Sequence, residues 1–136
     1  MNLYWSKGPL RYGIDNAGRP KLNVMVDPGI VSLYRALVPA YKTCYPQMYP
    51  AHISVVRKED VPRMDLWGKY EGEEVDFAYT DHVYNGTVYW WLNAFSTRLE
   101  EIRVELGLPI TSLYTRPPDT FEKVFHITIG NMKPRP

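Results

Sequence analysis

The sequence has one cysteine, no long apolar run and almost no excess of either charge, and each shortage narrows what the chain can be. Cys44 has no partner for an intramolecular disulfide, so the fold must rest on packing, as suits a reducing cytoplasm. No stretch approaches the ~20 apolar residues that a bilayer span needs, and residues 1–11 are aromatic and polar. The reading is no signal peptide, no membrane span and a cytoplasmic location. Lys plus Arg number 16 against 15 Asp plus Glu, a formal charge of +1, which gives little long-range pull on a nucleic-acid polymer. Without a basic stripe, a small substrate or a short piece of a larger one fits better than a duplex. Histidine is scarce as well, at three. There is no Cys/His group with zinc spacing and no His-Glu-x-x-His helix, so neither metal nor cofactor is expected.

What is present is ordinary apolar content, 45%, and an unusual share of aromatics, 14%, with eleven Tyr and four Trp to supply core packing and stacking platforms. A chain of 136 residues reads as a single domain, 1–136. Residues 1–19 read as an irregular arm or short strand ending in a turn at Asn16 to Gly18, with Tyr4, Trp5 and Tyr12 as a possible lid. Lys21 to Val26 reads as a strand. Asp27 and Pro28 then cap an amphipathic helix through Ile30, Leu33, Leu37 and Val38 that Pro39 closes. A loop holding Tyr41, Lys42, Tyr45 and Tyr49 leads to a second strand, His52 to Lys58. After a polar crossing, Val75 to Thr80 and Thr87 to Leu92 read as a hairpin through Asn85-Gly86. Thr97 and Glu100 form a capping-box pattern opening a second helix that Gly107 and Pro109 end. The last strand is Val124 to Gly130. Each half thus runs strand, capped helix, proline-containing loop, then a strand beginning near a histidine, which reads as a degenerate duplication.

The chemistry is carried by His52-Ile53-Ser54-Val55 and His126-Ile127-Thr128-Ile129, both of the form His, apolar, hydroxyl, apolar. Alternation puts each histidine on the same strand face as the hydroxyl two residues on and turns the apolar pair inward. One copy is an ordinary half-exposed strand. Two copies among three histidines are expected by chance about once in a thousand if positions are independent. An imidazole moves protons near neutral pH, and a hydroxyl donates to phosphoryl oxygens. A pair of each suits in-line phosphodiester cleavage, one ring neutral as base and one protonated as acid.

With these two motifs the chain resembles the 2H phosphoesterase superfamily, whose mark is two His-x-Thr/Ser-x motifs, one from each half of a pseudo-symmetric fold. The likeness runs from about Lys21 to Gly130 and leaves out the amino-terminal arm. It implies an α+β, bilobed fold with lobes at about 20–58 and 75–130, each an antiparallel sheet backed by a helix, around a central cleft. It implies catalytic roles for His52 and His126 and phosphate-binding roles for Ser54 and Thr128, Ser54 standing where Thr is commoner. It further implies a hydrolase acting without metal. The substrate would be a cyclic oligonucleotide messenger, as for compact viral anti-CBASS nucleases acting in the host cytoplasm, or an RNA end, as for 2',3'-cyclic phosphodiesterases. A non-catalytic nucleotide-binding module is the other alternative, and no obligate protein partner is evident.

Around this pair, Tyr41, Tyr45 and Tyr49 are candidate base-stacking residues, since such stacking contributes about 1 to 3 kcal/mol per base. Trp90 and Trp91 must face opposite ways, one into the core and the other toward a ligand, with Trp90 taken as the substrate-binding candidate. Lys42 and Lys58 are candidate phosphate cations. By alternation Lys58 shares the face of His52 and Arg57 does not. His82 lacks the motif and reads as a turn or strand-edge residue.

Overall fold

The computed structural model describes residues 2–120 and 122–134. Its first element overturns the reading of an irregular arm: β1 (Leu3–Ile14) is a strand of 12 residues. The expected turn follows, with the Asp15 carboxylate accepting from the Ala17 and Arg19 amides at 2.9 Å and Gly18 in the left-handed region at φ 81°. The chain returns in β2 (Pro20–Met25) and enters α1 (Pro28–Ala36), where the Asp27 side chain accepts the Gly29 amide at 2.8 Å and Pro28 opens the helix. Next come β3 (His52–Val56), a 3₁₀ turn at Met64–Leu66, β4 (Glu74–Thr80), β5 (Tyr84–Asn85) and β6 (Tyr89–Phe95). The chain ends with α2 (Thr97–Glu105) and β7 (Phe125–Asn131).

Pairing runs β1-β2-β3-β7-β6-β4 and returns to β1, every contact antiparallel, so the sheet closes into a six-stranded barrel with β5 outside it on β6. The bilobed α+β fold is therefore incorrect. The reason lies in β1, whose residues 3–9 pair with β4 and residues 10–14 with β2, so that it stitches the two halves into one sheet. The switch falls between Pro9 and Leu10, just past Gly8. A Cβ at Gly8 would overlap the Met25 carbonyl, so only glycine fits there. Two smaller corrections concern local signals. Asn85-Gly86 joins β5 to β6, while β4 meets β6 only at Ala78↔Phe95 and Tyr79↔Ala94. The cap of α2 is Ser96, whose hydroxyl accepts the Leu99 amide at 3.3 Å, one residue before the expected Thr97.

The barrel is filled by its own side chains, with Leu22, Val24, Ile53, Phe77, Leu92 and Ile127 fully buried. Leu99 and Ile102 of α2, Leu106 at its C-terminal cap, and Val31 and Tyr34 of α1 join the same core. Burial of each large aliphatic side chain contributes about 1.5–3 kcal/mol. That burial also fixes register, because a one-residue slip of β3 would turn Ile53 out and His52 in. Among the described residues, no helix is long and apolar enough to cross a membrane.

Candidate active site

β3 and β7 are neighbours in the barrel, joined at a single bridge, Ile53↔Ile127, with both isoleucines fully buried. In an antiparallel pair this register sets His52 across from Thr128 and Ser54 across from His126, all four on the outer face. The two imidazoles occupy one diagonal of that rectangle and the two hydroxyls the other, with the histidine Cα atoms roughly 8 Å apart from strand spacing and rise. The outer face continues to either side. On β2, Asn23 partners Ser54 and Met25 partners His52. On β6, Asn93 partners His126 and Trp91 partners Thr128.

Both rings are anchored in the same way. The Nδ1 of His52 lies 2.8 Å from the Pro50 carbonyl, and the Nδ1 of His126 lies 3.1 Å from the Thr115 carbonyl. A carbonyl only accepts, so each Nδ1 carries the hydrogen and each Nε2 is left with its lone pair free. Loss of hydration pushes both rings below the ordinary imidazole range, and the carbonyl bonds oppose it. His126 falls to about 4, with the charges of His52 and Arg57 adding to the effect. For His52 the added pressure comes from Arg57 and Lys21. In the free protein at neutral pH both rings are thus neutral, and an arriving phosphate anion supplies the charge that favours protonating one of them.

One wall comes from the loop after α2. The segment around Thr115 passes over His126, while Glu122 accepts from the Asn93 amide at 2.9 Å and Asn93 accepts from Trp91 Nε1 at 3.2 Å. Beyond the site, the 43–47 loop is fastened to the end of β7 by paired backbone bonds between Tyr45 and Asn131 at 2.8 and 2.9 Å. A bulge at Ile129 sets Gly130 across from Trp90, on the face opposite Thr128, and the glycine allows the loop to approach there: a Cβ would collide with Cys44 Sγ.

The substrate-binding candidates separate. Tyr49 is exposed and adjoins Pro50, whose carbonyl holds His52; Tyr41 is exposed and Tyr45 is pinned at the end of β7. Trp90 is no platform: it is buried in the core and its Nε1 donates to the Thr43 carbonyl at 2.9 Å. Trp91 is buried too, stacked at 5.8 Å on Tyr84, so neither tryptophan is the exposed one expected. Lys42 lies 5.8 Å from the Trp90 ring centre. Of the supposed lid, Tyr4 is stacked on Tyr79 and Tyr12 is edge-on to Trp67, while Trp5 is exposed and borders a cavity away from the histidines. His82 rests against Tyr84 beside β5.

The expectation for Lys58 fails for a reason alternation does not see. Between β2 and β3 the register steps from Asn23↔Ser54 to Leu22↔Val56, a bulge that turns both Val55 and Val56 into the core. The phase shifts by one, so that the pleat carried one residue past the end of β3 assigns Arg57 to the face of His52 and Ser54. Lys58 is in the left-handed region at φ 54° and leans toward Tyr114, 5.8 Å from the ring centre. Buried Arg103 secures this stretch. It donates to the Val55 carbonyl at 2.7 Å, to both Glu59 oxygens at 2.8 Å and to the Pro109 carbonyl at 2.8 Å, while Glu59 accepts the Arg57 amide at 3.2 Å.

Both histidines are partly buried on this face. A cavity of about 610 Å³ lies elsewhere, lined by Trp5, Ala78, Phe95, Thr97 and Glu100 among others, and no histidine borders it. Among the described residues no three His, Cys, Asp or Glu side chains gather as metal ligands. Comparison with known families, curated proteins and solved structures finds no match to this chain. Sequence reasoning missed Asn93, although a lone amide inside the apolar run of β6 was the signal for it.

Proposed function

We propose that this chain is a metal-independent phosphodiesterase of two-histidine, 2H-like chemistry, carried on a closed barrel, with cyclic oligonucleotides as its substrate class. The observation that carries the reading is the antiparallel register Ile53↔Ile127. It sets each imidazole beside the other strand's hydroxyl, with both Nδ1 atoms held by carbonyls. Two free Nε2 atoms on opposite sides of one small surface suit in-line displacement. One takes the proton of the attacking oxygen while the other, protonated, delivers one to the leaving oxygen. Ser54 and Thr128 lie on the remaining corners, where they can donate to the non-bridging oxygens as charge moves onto them. When the attacking oxygen is the ribose 2'-hydroxyl, the first product carries a 2',3'-cyclic phosphate. When the substrate is itself a 2',3'-cyclic phosphate, the same pair activates water and the product is a monophosphate.

The test is incubation, in excess chelator, with a cyclic dinucleotide, its 2'-deoxy analogue and a mononucleoside 2',3'-cyclic phosphate, with products identified by mass spectrometry. The ribose dinucleotide is expected to be cut and its 2'-deoxy analogue to resist. His52→Ala and His126→Ala should each lower turnover by about 10² to 10⁴, far from additively when combined. Activity confined to the mononucleoside would select the RNA-end reading. Binding without turnover of any of the three would leave a nucleotide-binding module, and activity that vanishes in chelator would point to a metal-assisted reaction.

A further inference from the structure

The Val55 bulge has a second result. Carrying the shifted register one residue beyond Leu22↔Val56 sets Arg57 against Lys21 at the end of the same outer face. This places two cations one rung beyond Asn23 and Ser54, about 7 Å along the strands from the rung that holds His126. The Arg57 guanidinium has no carboxylate or carbonyl partner among the described residues. By contrast Arg11, Arg63, Arg98 and Arg103 are each paired with a carboxylate. Arg19, Arg35 and Arg116 each donate to a backbone carbonyl. Lys21 is likewise exposed and forms no ion pair among the described residues; its stem lies over Gly13 of β1. Arg57 and Lys21 are also charges that act on the His52 ring, after the desolvation that dominates there, so both are electrostatically in reach of the site.

We propose that Arg57, with Lys21, forms a second anion subsite that takes a phosphate neighbouring the scissile one, so that the substrate carries at least two linked phosphates. This rests on the phosphodiesterase reading. The spacing between the rungs is comparable to that between adjacent phosphates of an oligonucleotide. A guanidinium also supplies the planar fork that matches phosphate oxygens. A mononucleoside 2',3'-cyclic phosphate fills only the histidine rung. An oligonucleotide, cyclic or linear, fills both.

Two measurements test this separately from turnover. In the first, thymidine dinucleotide, which lacks 2'-hydroxyls, is titrated into the protein bare, with a 5'-phosphate and with a 3'-phosphate. At least one terminal phosphate is expected to tighten binding about tenfold at low salt. Arg57→Ala should abolish that gain, Arg57→Lys should restore part of it, and Lys21→Ala should reduce it. No gain from either phosphate, or a gain that survives Arg57→Ala, overturns the subsite. In the second, Arg57→Ala should lower kcat/KM for a cyclic dinucleotide at least tenfold more than for a mononucleoside 2',3'-cyclic phosphate. Equal losses would put Arg57 on the scissile phosphate and overturn the proposal. A protein that turns over neither substrate but shows the Arg57-dependent gain would refute the catalytic reading and leave the subsite standing.

Discussion

Replacing His126 by Asn removes a titrating ring yet keeps an amide N–H for the Thr115 carbonyl, which makes it a clean probe of how burial couples the site to stability. His126 falls from the ordinary 6.5 to about 4 in the folded chain, chiefly through desolvation. Because the folded value is depressed, the fold favours the neutral ring. Its contribution is complete above pH 6.5 and is lost as pH falls from 6.5 through the folded value. The shift of about 2.5 units corresponds to about 3 kcal/mol once pH is below both values, and to about 2 kcal/mol already at pH 5. His52 is shifted in the same direction and adds to the loss. The depressed carboxyl groups of Glu73 and Glu105 release their stabilisation mainly below pH 5, so the interval from pH 7.5 to 5 reports the imidazoles. Urea unfolding followed by tryptophan fluorescence at both pH values should show wild type losing about 2 kcal/mol more than His126→Asn, a midpoint difference on the order of 1 M for an m-value near 2 kcal/mol/M. Equal losses in the two proteins would refute the buried, neutral His126 and with it the anchored geometry of the pair.

Two further outcomes follow from named contacts. Ser54→Ala and Thr128→Ala should each lower kcat by about 10²-fold with KM little changed, because a hydroxyl aimed at phosphoryl oxygen matters most in the transition state; a rise in KM alone, seen in steady-state kinetics, would reduce them to binding groups. Arg103→Met should cost about 3–5 kcal/mol in thermal or urea unfolding by leaving the Glu59 carboxylate without its cation. Adding Glu59→Leu should recover much of that, and a single-mutant loss under about 1 kcal/mol would show that the bulge is held by other contacts.

The elements that were legible from sequence are those fixed by local chemistry. Asp27-Pro28 opens α1 because a carboxylate and a preset φ are sufficient for a helix start, and the His-x-hydroxyl strands stand out because the period of two is set by the pleat. What was not legible is which strand edges meet. The two-half pattern does describe a local arrangement, β2-β3 against β7-β6, but the same pattern is compatible with two open sheets or one closed one. The deciding element, β1, carries Gly8, Pro9 and Gly13, which read as loop chemistry; here Gly8 makes room for the Met25 carbonyl next to the point where one long strand passes from β4 to β2 and closes the barrel.

The error over Arg57 and Lys58 has the same origin at a smaller scale and explains how the site obtains its cation. Alternation is reliable only while the ladder is regular, and one extra residue at Val55 reverses it. The bulge is unfavourable by itself, since it takes the Val55 carbonyl out of regular pairing; Arg103, buried on α2, supplies the donor. Arg103 needs a counter-charge in turn, and Glu59 provides it while also accepting the Arg57 amide. A chain of buried contacts thus runs from the second helix through Arg103 and Glu59 to the backbone of Arg57. It follows that the position of the free guanidinium beside the histidines depends on α2 docking correctly. Variants that loosen α2, such as Ile102→Ala, should therefore weaken any Arg57-dependent gain in phosphate binding before they disturb the Pro50 carbonyl anchor of His52, which hangs from the loop before β3. Titration of the same phosphorylated dinucleotides, with the His52 Cε1–H resonance as a simultaneous report on that anchor, separates the two. Loss of both together would mean that the bulge and the histidine rungs form one cooperative unit and that α2 supports the whole face.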